Sequence, residues 1–260
     1  MNTISRQKKA EAAIHRLAYY DTLTGLCNRE LYKENALTAL RVAHRNNKKV
    51  ALLYLDIDDF KKINDTLGHA AGDKLLTKIA SSLKESLRAS DFVLNIDRIK
   101  LEQNTASISR IGGDEFTILL TGIENTDHAG KVAYRLLNSL GKPIKVENSE
   151  FYVTCSIGIA IYPDDAKDVD TLLKHADTAM FHAKKKGKNN AQYYAEHMNL
   201  MTVERLEIEA KLKNALDNNE FELYYQPQID IQTKKLIGVE ALVRWIHPDL
   251  GIIQPGHFIN

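Results

Sequence analysis

Residues 50–59 read Val50-Ala51-Leu52-Leu53-Tyr54-Leu55-Asp56-Ile57-Asp58-Asp59. The first six form an unbroken apolar run, and a run of this length is typical of a strand that is covered on both faces. The acidic residues then fall where that buried strand ends. Carboxylates at such a place, with a neighbouring main-chain carbonyl, suit a hard cation, whereas the simpler interpretation is a solvated strand end that caps the next helix. The stretch therefore predicts a central strand that delivers acidic groups to a candidate site.

A second acidic strand end follows two glycines. Gly112 and Gly113 lie between strand-like segments, and Asp114 and Glu115 come directly after them. Glycines permit the backbone of a tight hairpin and let a ligand approach the main chain closely. Such a turn alone is usually only a hairpin. Together with Asp56, however, it predicts two acidic strand ends that share one metal site for nucleotide phosphates.

Polar residues with ligand-binding chemistry lie near both acidic ends. The loop and helix start after the first strand carry Lys61, Asn64, His69 and Asp73, and a later helix ends with Lys184 and Lys188. Asn and Asp can read a guanine edge, and lysines can neutralise phosphate. Each also has a structural interpretation, because Asp73 can cap a helix, His69 can be a surface histidine, and the lysines can face a helix dipole.

Periodicity gives the rest of the domain. Apolar spacing predicts helices near 29–45 (capped by Asn28), after Gly72-Asp73, over 127–140 and over 172–183, and alternation predicts a strand with one buried face over 151–161. Strands and helices therefore mix in an α+β layered domain. Residues 5–19 predict a helix with a narrow apolar stripe, either packed on the domain or ending a coiled coil. A connecting helix over 198–217 and a strand-rich segment from Phe221 follow.

Composition excludes several classes. With 35 basic and 34 acidic residues, the chain has no overall basic field for nucleic acid. No apolar run approaches membrane-spanning length, so we expect no membrane contact by this chain. Two cysteines do not resemble a secreted disulfide framework, and we expect reduced thiols in a cytoplasmic domain, which is also compatible with the cytoplasmic part of a larger sensor.

Several motifs together resemble one known family. They are Asp21-Thr22-Leu23-Thr24-Gly25-Leu26-Cys27-Asn28-Arg29, Asp56-Ile57-Asp58-Asp59-Phe60-Lys61-Lys62-Ile63-Asn64-Asp65, Gly68-His69, Gly72-Asp73, Arg110-Ile111-Gly112-Gly113-Asp114-Glu115-Phe116 and the helix of residues 176–189. In this order and at this spacing, they resemble the GGDEF family of diguanylate cyclases over about residues 16–194. The resemblance implies a fold like nucleotidyl cyclases and polymerase palms, with a mostly antiparallel central sheet flanked by helices.

The resemblance also implies an activity and its residues. Two GTP molecules would be joined into cyclic di-GMP by a homodimer that depends on Mg²⁺, with Mn²⁺ as a substitute. Asp56, the carbonyl of Ile57 and Asp114 would hold the metal, and Asp114 and Glu115 would be catalytic. The substrate would be bound by Phe60, Lys61, Asn64, His69, Asp73, Gly112, Gly113, Lys184 and Lys188.

The pattern departs from the family in one place. Arg88 and Asp91 have the form of an inhibitory product site for cyclic di-GMP, but an insertion of residues 94–108 separates them from the glycine turn. We expect the middle of this insertion to form an exposed loop. The inhibitory site survives if the insertion only extends a hairpin outward.

Residues 221–260 resemble the start of an EAL phosphodiesterase domain, too short for hydrolysis by this chain. The implied domains are an N-terminal signalling helix (1–20), a cyclase domain (21–195), a connecting helix (196–220) and the truncated EAL segment (221–260). One alternative is an inactive GGDEF module that binds GTP or cyclic di-GMP and regulates an attached EAL domain. Another is a cyclase that makes a mixed guanine–adenine dinucleotide. Asp73 argues against it, because a carboxylate can accept hydrogen bonds from guanine N1–H and N2–H.

Overall fold

The computed structural model of the chain describes residues 13–87, 108–146, 149–199, 211–212 and 214–255. The chain divides into two compact units, Met1–Ala195 and Glu196–Asn260. The helices of the first unit are α1 (13–19), α2 (Arg29–Arg45), α3 (Phe60–Leu67), α4 (His69–Ser86), α5 (Asp127–Leu140) and α6 (Val169–Lys185). Its strands are β1 (Lys49–Ile57), β2 (Ile108–Gly112), β3 (Glu115–Ile123), β4 (Ile144–Val146), β5 (Ser149–Phe151), β6 (Cys155–Tyr162) and β7 (Ala191–Tyr193).

The first unit is built around a five-stranded sheet in the order β2-β3-β1-β6-β7. All neighbours pair antiparallel except β6 and β7, while β4 and β5 form a separate hairpin. This architecture confirms the predicted α+β fold with a mostly antiparallel central sheet. The helices at 29–45 and 127–140 agree with their predicted bounds, and Asn28 caps α2 by accepting hydrogen bonds from Glu30 N and Leu31 N, both at 3.1 Å.

The central strand β1 is buried on both faces, as its apolar run predicted. Leu53 and Leu55 pack in one core cluster with residues of α4 and α5. Leu52 and Tyr54 belong to the other cluster, with residues of α2 and α6. Successive side chains of a strand point to opposite faces. The sheet is therefore the middle of three layers, and Asp56 continues the face that α6 covers.

The strand predicted over 151–161 with one buried face is wrong in its bounds and its burial. Strand β6 spans Cys155–Tyr162, and every one of its residues is buried. Its second face carries Ser156, Gly158 and Ala160, and these small residues let α6 lie close. A Cβ atom on Gly158 would collide with the carbonyl of Ala176 on that helix. The small alternate residues were the sequence signal for a second covered face.

The helix predicted to follow Gly72-Asp73 begins earlier, at His69, after Gly68 with φ +81°. Asp73 therefore lies inside α4, and its interpretation as the N-cap is wrong. Gly72 is buried, and a Cβ atom there would collide with the side chain of Asn64 on α3. Close packing of α3 on α4, rather than capping, explains this glycine.

At the N-terminus, Ile14 and Leu17 of α1 are 66% and 67% exposed. The prediction that this helix packs on the domain is therefore wrong for the turns that the structure describes. Ala10, another residue of the predicted apolar stripe, lies outside the described residues. Both cysteines are buried and free of disulfide bonds, as expected. Within the described ranges, no helix combines the length and apolar character that crossing a bilayer requires. Of the insertion 94–108, only Ile108 is described, and it is a buried residue of β2. The middle of the insertion, which was predicted to be an exposed loop, lies outside the described residues.

One arginine connects the Asp21 loop to the glycine turn. Asp21 accepts hydrogen bonds from Thr24 N and Oγ1 at 2.8 and 2.6 Å. Arg110 Nη1 donates to both oxygens of Asp21 at 3.0 and 3.2 Å, while its Nε and Nη2 donate to the carbonyl of Gly113 at 2.9 and 2.7 Å. We call Asp21, Arg110 and Gly113 the arginine link. The planar fork of the guanidinium lets one side chain hold both partners.

Burial alone would raise the pKa of Asp21, but the hydrogen bonds from Thr24 and the nearby Arg110 hold it below its ordinary value of 3.8. A carboxyl whose pKa is lowered by folding stabilises the native state above its unfolded pKa. The arginine link therefore stabilises the domain fully above about pH 4 and loses this contribution as the pH falls through the lowered native value.

The second unit contains an antiparallel sheet in the order β10-β9-β8, formed by β8 (Phe221–Ile229), β9 (Leu236–His247) and β10 (Gly251–Ile253). Trp245, Ala215 and Ile253 form its small buried cluster. Apolar side chains of this sheet such as Leu223, Tyr225 and Ile237 are exposed. The strand-rich segment is thus confirmed, whereas most of the predicted connecting helix lies outside the described residues.

We predict that Arg110→Lys lowers the free energy of unfolding by about 1–2 kcal/mol, because an ammonium group cannot reproduce the double fork. Urea unfolding followed by circular dichroism measures the change. Hydrogen exchange at the amides of residues 112–115 should also accelerate. Arg41→Lys on the exposed surface of α2 is the matched control and should change stability by less than about 0.5 kcal/mol. Equal effects of the two substitutions would contradict the arginine link.

Candidate active site

The pairing of β1 with β3 brings the two acidic strand ends together. Asp56 lies opposite Glu115 in the register of these strands, and Ile57 N donates to the carbonyl oxygen of Asp114 at 3.4 Å. On its other side Asp56 lies opposite Ser156 of β6. Side chains opposite each other in an antiparallel pair share one face of the sheet. The structure therefore places four of the predicted site residues, namely Asp56, Ile57, Asp114 and Glu115, side by side.

Asp56 is 6% exposed and forms an ion pair with Lys184 of α6, with Oδ1 and Nζ 2.7 Å apart. Burial raises the pKa of Asp56 to about 6, the negative charges of Asp114 and Glu115 act in the same direction, and Lys184 opposes them. The negative charges of Asp56, Asp114 and Glu115 lie close together and attract a cation, and the Lys184 ammonium group partly meets this need.

The donor atoms at this edge fit a hard divalent cation. Within the described ranges, no group of three or more His, Cys, Asp or Glu side chains is arranged to hold a metal ion. Mg²⁺, however, is commonly bound through one or two carboxylates, with water and substrate phosphates completing an octahedron. Asp56, Asp114 and the carbonyl of Ile57 provide such a partial set, so the residues fit Mg²⁺ when a nucleotide brings the remaining oxygens.

The glycine turn is open to a ligand. Gly113 and Asp114 form the turn between β2 and β3, and Gly113 has φ +49°. Gly112 and Gly113 are exposed, and no atom lies within 4 Å of where a Cβ would stand on either residue. The main chain of both glycines is therefore accessible, and the arginine link fixes the carbonyl of Gly113 from behind.

Of the two predicted substrate contacts at the start of α3, only one has an available side chain. Lys61 is exposed, whereas Phe60 is 6% exposed and belongs to the core cluster that covers β1. The side chain of Phe60 is therefore packed in the core, and the contact of Phe60 with substrate stays a prediction. Its main-chain N–H, in the first turn of α3, is the remaining group for such a contact.

The junction of α3 and α4 carries the two residues predicted to read guanine, Asn64 and Asp73, and the predicted substrate-binding residue His69. Asn64 on α3 packs against Gly72, and its side-chain oxygen is buried without a hydrogen-bond partner. His69 and Asp73 lie in the first turns of α4 and are exposed. A buried acceptor without a donor is costly unless a ligand supplies one. The structure thus brings Asn64 next to the helix that carries Asp73.

The two predicted phosphate-binding lysines at the end of α6 approach the end of β1 and the loop that follows it. Lys184 pairs with Asp56, and Lys188 Nζ lies 2.8 Å from each oxygen of Asp59. Lys188 follows the end of α6 at Lys185 and has φ +59°, so it lies in a turn rather than on the helix. Each lysine is thus paired with an acid at the end of β1 or just after it.

Sequence reasoning missed a group of residues behind the glycine turn. A groove of about 700 Å³ is lined there by Arg29, Tyr54, Ile111, Gly112, Gly113, Asp114, Glu115, Asp170, Leu173, Lys174 and Asp177. Tyr54 hydrogen-bonds Glu115, and burial together with the charge of Glu115 raises the pKa of Tyr54. Tyr54 precedes Asp56 by two residues, and this spacing on one strand face was the available signal. The predicted inhibitory pair Arg88 and Asp91 lies outside the described residues.

Comparisons with known proteins identify the family of the chain. A family model described as "Diguanylate cyclase, GGDEF domain" matches residues 18–190, and one described as "EAL domain" matches residues 209–260. The bifunctional diguanylate cyclase/cyclic di-GMP phosphodiesterase MucR of Pseudomonas aeruginosa is 36% identical over 251 residues, covering 96% of this chain and 34% of MucR. The cyclic di-GMP phosphodiesterase PdeR of Escherichia coli is 34% identical over 259 residues, covering 99% of this chain and 36% of PdeR. The chain thus spans about a third of the length of these relatives.

Solved structures show the same fold. The GGDEF domain of TpbB, also called YfiN, from Pseudomonas aeruginosa is 34% identical with a TM-score of 0.63, and the match covers 71% of this chain and 99% of that one. The diguanylate cyclase SiaD of the same organism, solved with its activator SiaC, is 28% identical with a TM-score of 0.58, covering 73% of this chain and 66% of SiaD. The chain therefore belongs to the GGDEF family, the family of diguanylate cyclase domains in cyclic di-GMP signalling, and a segment matching the EAL domain follows that domain.

Proposed function

We propose that this chain is an active diguanylate cyclase, which condenses two GTP molecules into cyclic di-GMP and releases pyrophosphate. The observation that carries the proposal is the register that sets Asp56 opposite Glu115, with Asp114 in the adjoining glycine turn. A degenerate domain would be expected to lack one of these acids or a glycine, and all are present. We further propose residues 21–195 as the cyclase domain and 221–260 as EAL sequence, joined by 196–220 and preceded by a signalling helix over 1–20.

In the proposed substrate complex, each domain holds one GTP. The side chains of Asn64 and Asp73 would read the guanine edge, with His69 beside them. Lys61, Lys184 and Lys188 would neutralise the phosphates, and the main chain of Gly112, Gly113 and Phe60 would lie against them. The unpartnered oxygen of Asn64 supports this arrangement, because guanine offers N–H donors.

Asp56, Asp114 and the carbonyl of Ile57 would hold Mg²⁺, or Mn²⁺ in its place. The bound ion would offset the charge that develops on the phosphate oxygens. The ammonium group of Lys184 already pairs with Asp56, so it offsets the negative charge of this acid before any nucleotide binds.

The reaction forms two bonds, each between the 3′-oxygen of one GTP and the α-phosphorus of the other. Each new bond replaces a bond to pyrophosphate, so two pyrophosphates leave for each cyclic di-GMP. Asp114 would accept the proton of the 3′-hydroxyl, and Glu115, oriented by Tyr54, would support the site. Since one domain holds one GTP, two domains must face each other, so turnover requires a homodimer. The exposed Ile14 and Leu17 of α1 offer one surface through which dimerisation could be controlled. Because the proposed substrate is GTP, we also propose that the domain acts in the cytoplasm.

A second candidate function has support from the two-domain relatives. PdeR aligns with almost the whole of this chain, and its name gives only a phosphodiesterase activity, whereas the name of MucR gives both activities. A GGDEF domain that binds GTP or cyclic di-GMP without turnover and regulates an attached EAL domain would use the same site. Retention of Asp56, Asp114 and Glu115 favours the cyclase. The inhibitory role of Arg88 and Asp91 stays a prediction.

We predict that the purified chain converts GTP to cyclic di-GMP in the presence of Mg²⁺, measured by mass spectrometry. Asp114→Ala should reduce the rate by about a thousandfold or more, since it removes both a metal ligand and the proton acceptor. Asp217→Ala, an exposed acid of the second unit, is the control and should retain the rate. Full activity of Asp114→Ala would refute the site, and bound GTP without product at high protein concentration would favour the regulatory module.

A separate prediction concerns base recognition. Asp73→Asn replaces one acceptor by an amide donor, which suits the C2 carbonyl of xanthine and not the amino group of guanine. We expect affinity for GTP to fall about tenfold or more, and affinity for XTP to rise, in titration calorimetry. Asp65→Asn on the exposed surface of α3 is the matched control. If both variants bind GTP and XTP like the parent chain, Asp73 does not read the base.

A further inference from the structure

Asp58 is a buried carboxylate, and both of its oxygens accept hydrogen bonds from the protein. It is 6% exposed, and its Oδ1 accepts from Ser156 Oγ at 2.7 Å. Its Oδ2 accepts from Thr154 Oγ1 at 2.6 Å and from the main-chain N–H of Asn189 at 3.1 Å. Both oxygens are thus engaged by donors of the protein. Asp58 is therefore set apart from its neighbour Asp56, which faces the candidate metal site.

The partner segment of Asp58 has an unusual backbone. Gly187, Lys188 and Asn189 follow one another with φ values of +103°, +59° and +46°. Glycine takes such values freely, whereas Lys188 and Asn189 adopt the left-handed region at a cost. Residues in this region persist when surrounding contacts hold them there. The hydrogen bond from Asn189 N to Asp58 is such a contact, and it reaches across from the end of β1.

Three acids at the end of β1 meet the same short stretch of chain. Asp56 pairs with Lys184, Asp58 accepts from Asn189, and Asp59 pairs with Lys188. The side chains of Asp59 and Lys188 are 62% and 43% exposed, and ion pairs so exposed contribute little to stability. The buried, charge-assisted hydrogen bonds of Asp58 are the stronger contacts. Asp58 is therefore the acid that holds the stretch 184–189 in place.

We propose that Asp58 is a positioning residue of the nucleotide site. It holds the left-handed turn 187–189 so that Lys184 and Lys188 lie beside the acidic end of β1, where they meet the distal phosphates of the nucleotide. The lysine part of this inference rests on the proposed function, whereas the holding of the turn does not. Asp58 acts through the lysines and touches neither substrate nor metal.

The test compares Asp58→Asn in the full chain with Asp165→Asn. Asp165 is a matched acid at the other end of β6, where it accepts a hydrogen bond from Ile161 N at 2.6 Å. The affinities for GTP and GMP are measured by calorimetry, because only GTP carries distal phosphates. We expect Asp58→Asn to weaken GTP about tenfold and GMP less than about twofold, and Asp165→Asn to change neither.

A rescue experiment separates positioning from general destabilisation. Asn189→Gly keeps the main-chain N–H and adopts a positive φ without cost, so it should restore part of the GTP affinity that Asp58→Asn loses. Equal losses for GTP and GMP, or a rescue that fails, would overturn the proposal. If Asp58→Asn does not fold, Thr154→Val, which removes one donor to Asp58, should show the same selective loss on a smaller scale.

Hydrogen exchange at the Asn189 amide makes failure of this inference distinguishable from failure of the proposed function. Asp58→Asn should accelerate that exchange and Asp165→Asn should not, whether or not the chain binds GTP. A parent chain that does not bind GTP would refute the proposed function while this measurement still decides whether Asp58 holds the turn. Unchanged exchange in Asp58→Asn would overturn the inference.

Discussion

The structure depends on one constraint, the antiparallel pairing of β1 with β3 inside a sheet that is covered on both faces. Every residue of β1 from Val50 to Ile57 is buried, so its register cannot slip without moving apolar side chains to the wrong face. That register puts Asp56 opposite Glu115 and beside the glycine turn. Because core packing fixes this register, it also fixes the relative position of Asp56 and Glu115, which are far apart in sequence.

Carboxylates collected at a buried edge need compensation, and the fold provides it from two directions. Lys184 of α6 pairs with Asp56. Asp58 accepts hydrogen bonds from the hydroxyls of Thr154 and Ser156 and from the main-chain N–H of Asn189. From the other side, the arginine link secures the glycine turn. These contacts stabilise the domain and, in the proposed function, also set the positions of phosphate-binding groups. Stability and activity should therefore be coupled at this edge, while the second unit carries its own small cluster around Trp245.

The sequence was sufficient for features that depend on local pattern. The apolar run of β1, the cap at Asn28 and the periodic helices were predicted, and motif order predicted the family. Features that depend on packing between elements were not. The close approach of α3 to α4 explains Gly72, and the approach of α6 explains the second buried face of β6. Phe60 is a core residue. The hydrogen bonds of Tyr54 and Asp58 likewise join residues that only the tertiary fold brings together.

The central claim is that the end of β1 and the glycine turn form one nucleotide and metal site. A crystal structure of the chain with Mn²⁺ and a non-reactive GTP analogue tests it most directly, because the anomalous signal locates the ion. The account predicts an ion within about 2.5 Å of a carboxylate oxygen of both Asp56 and Asp114, with the phosphates next to Lys184. An analogue bound with its ion held by other residues, or with its phosphates away from the glycine turn, would contradict the account.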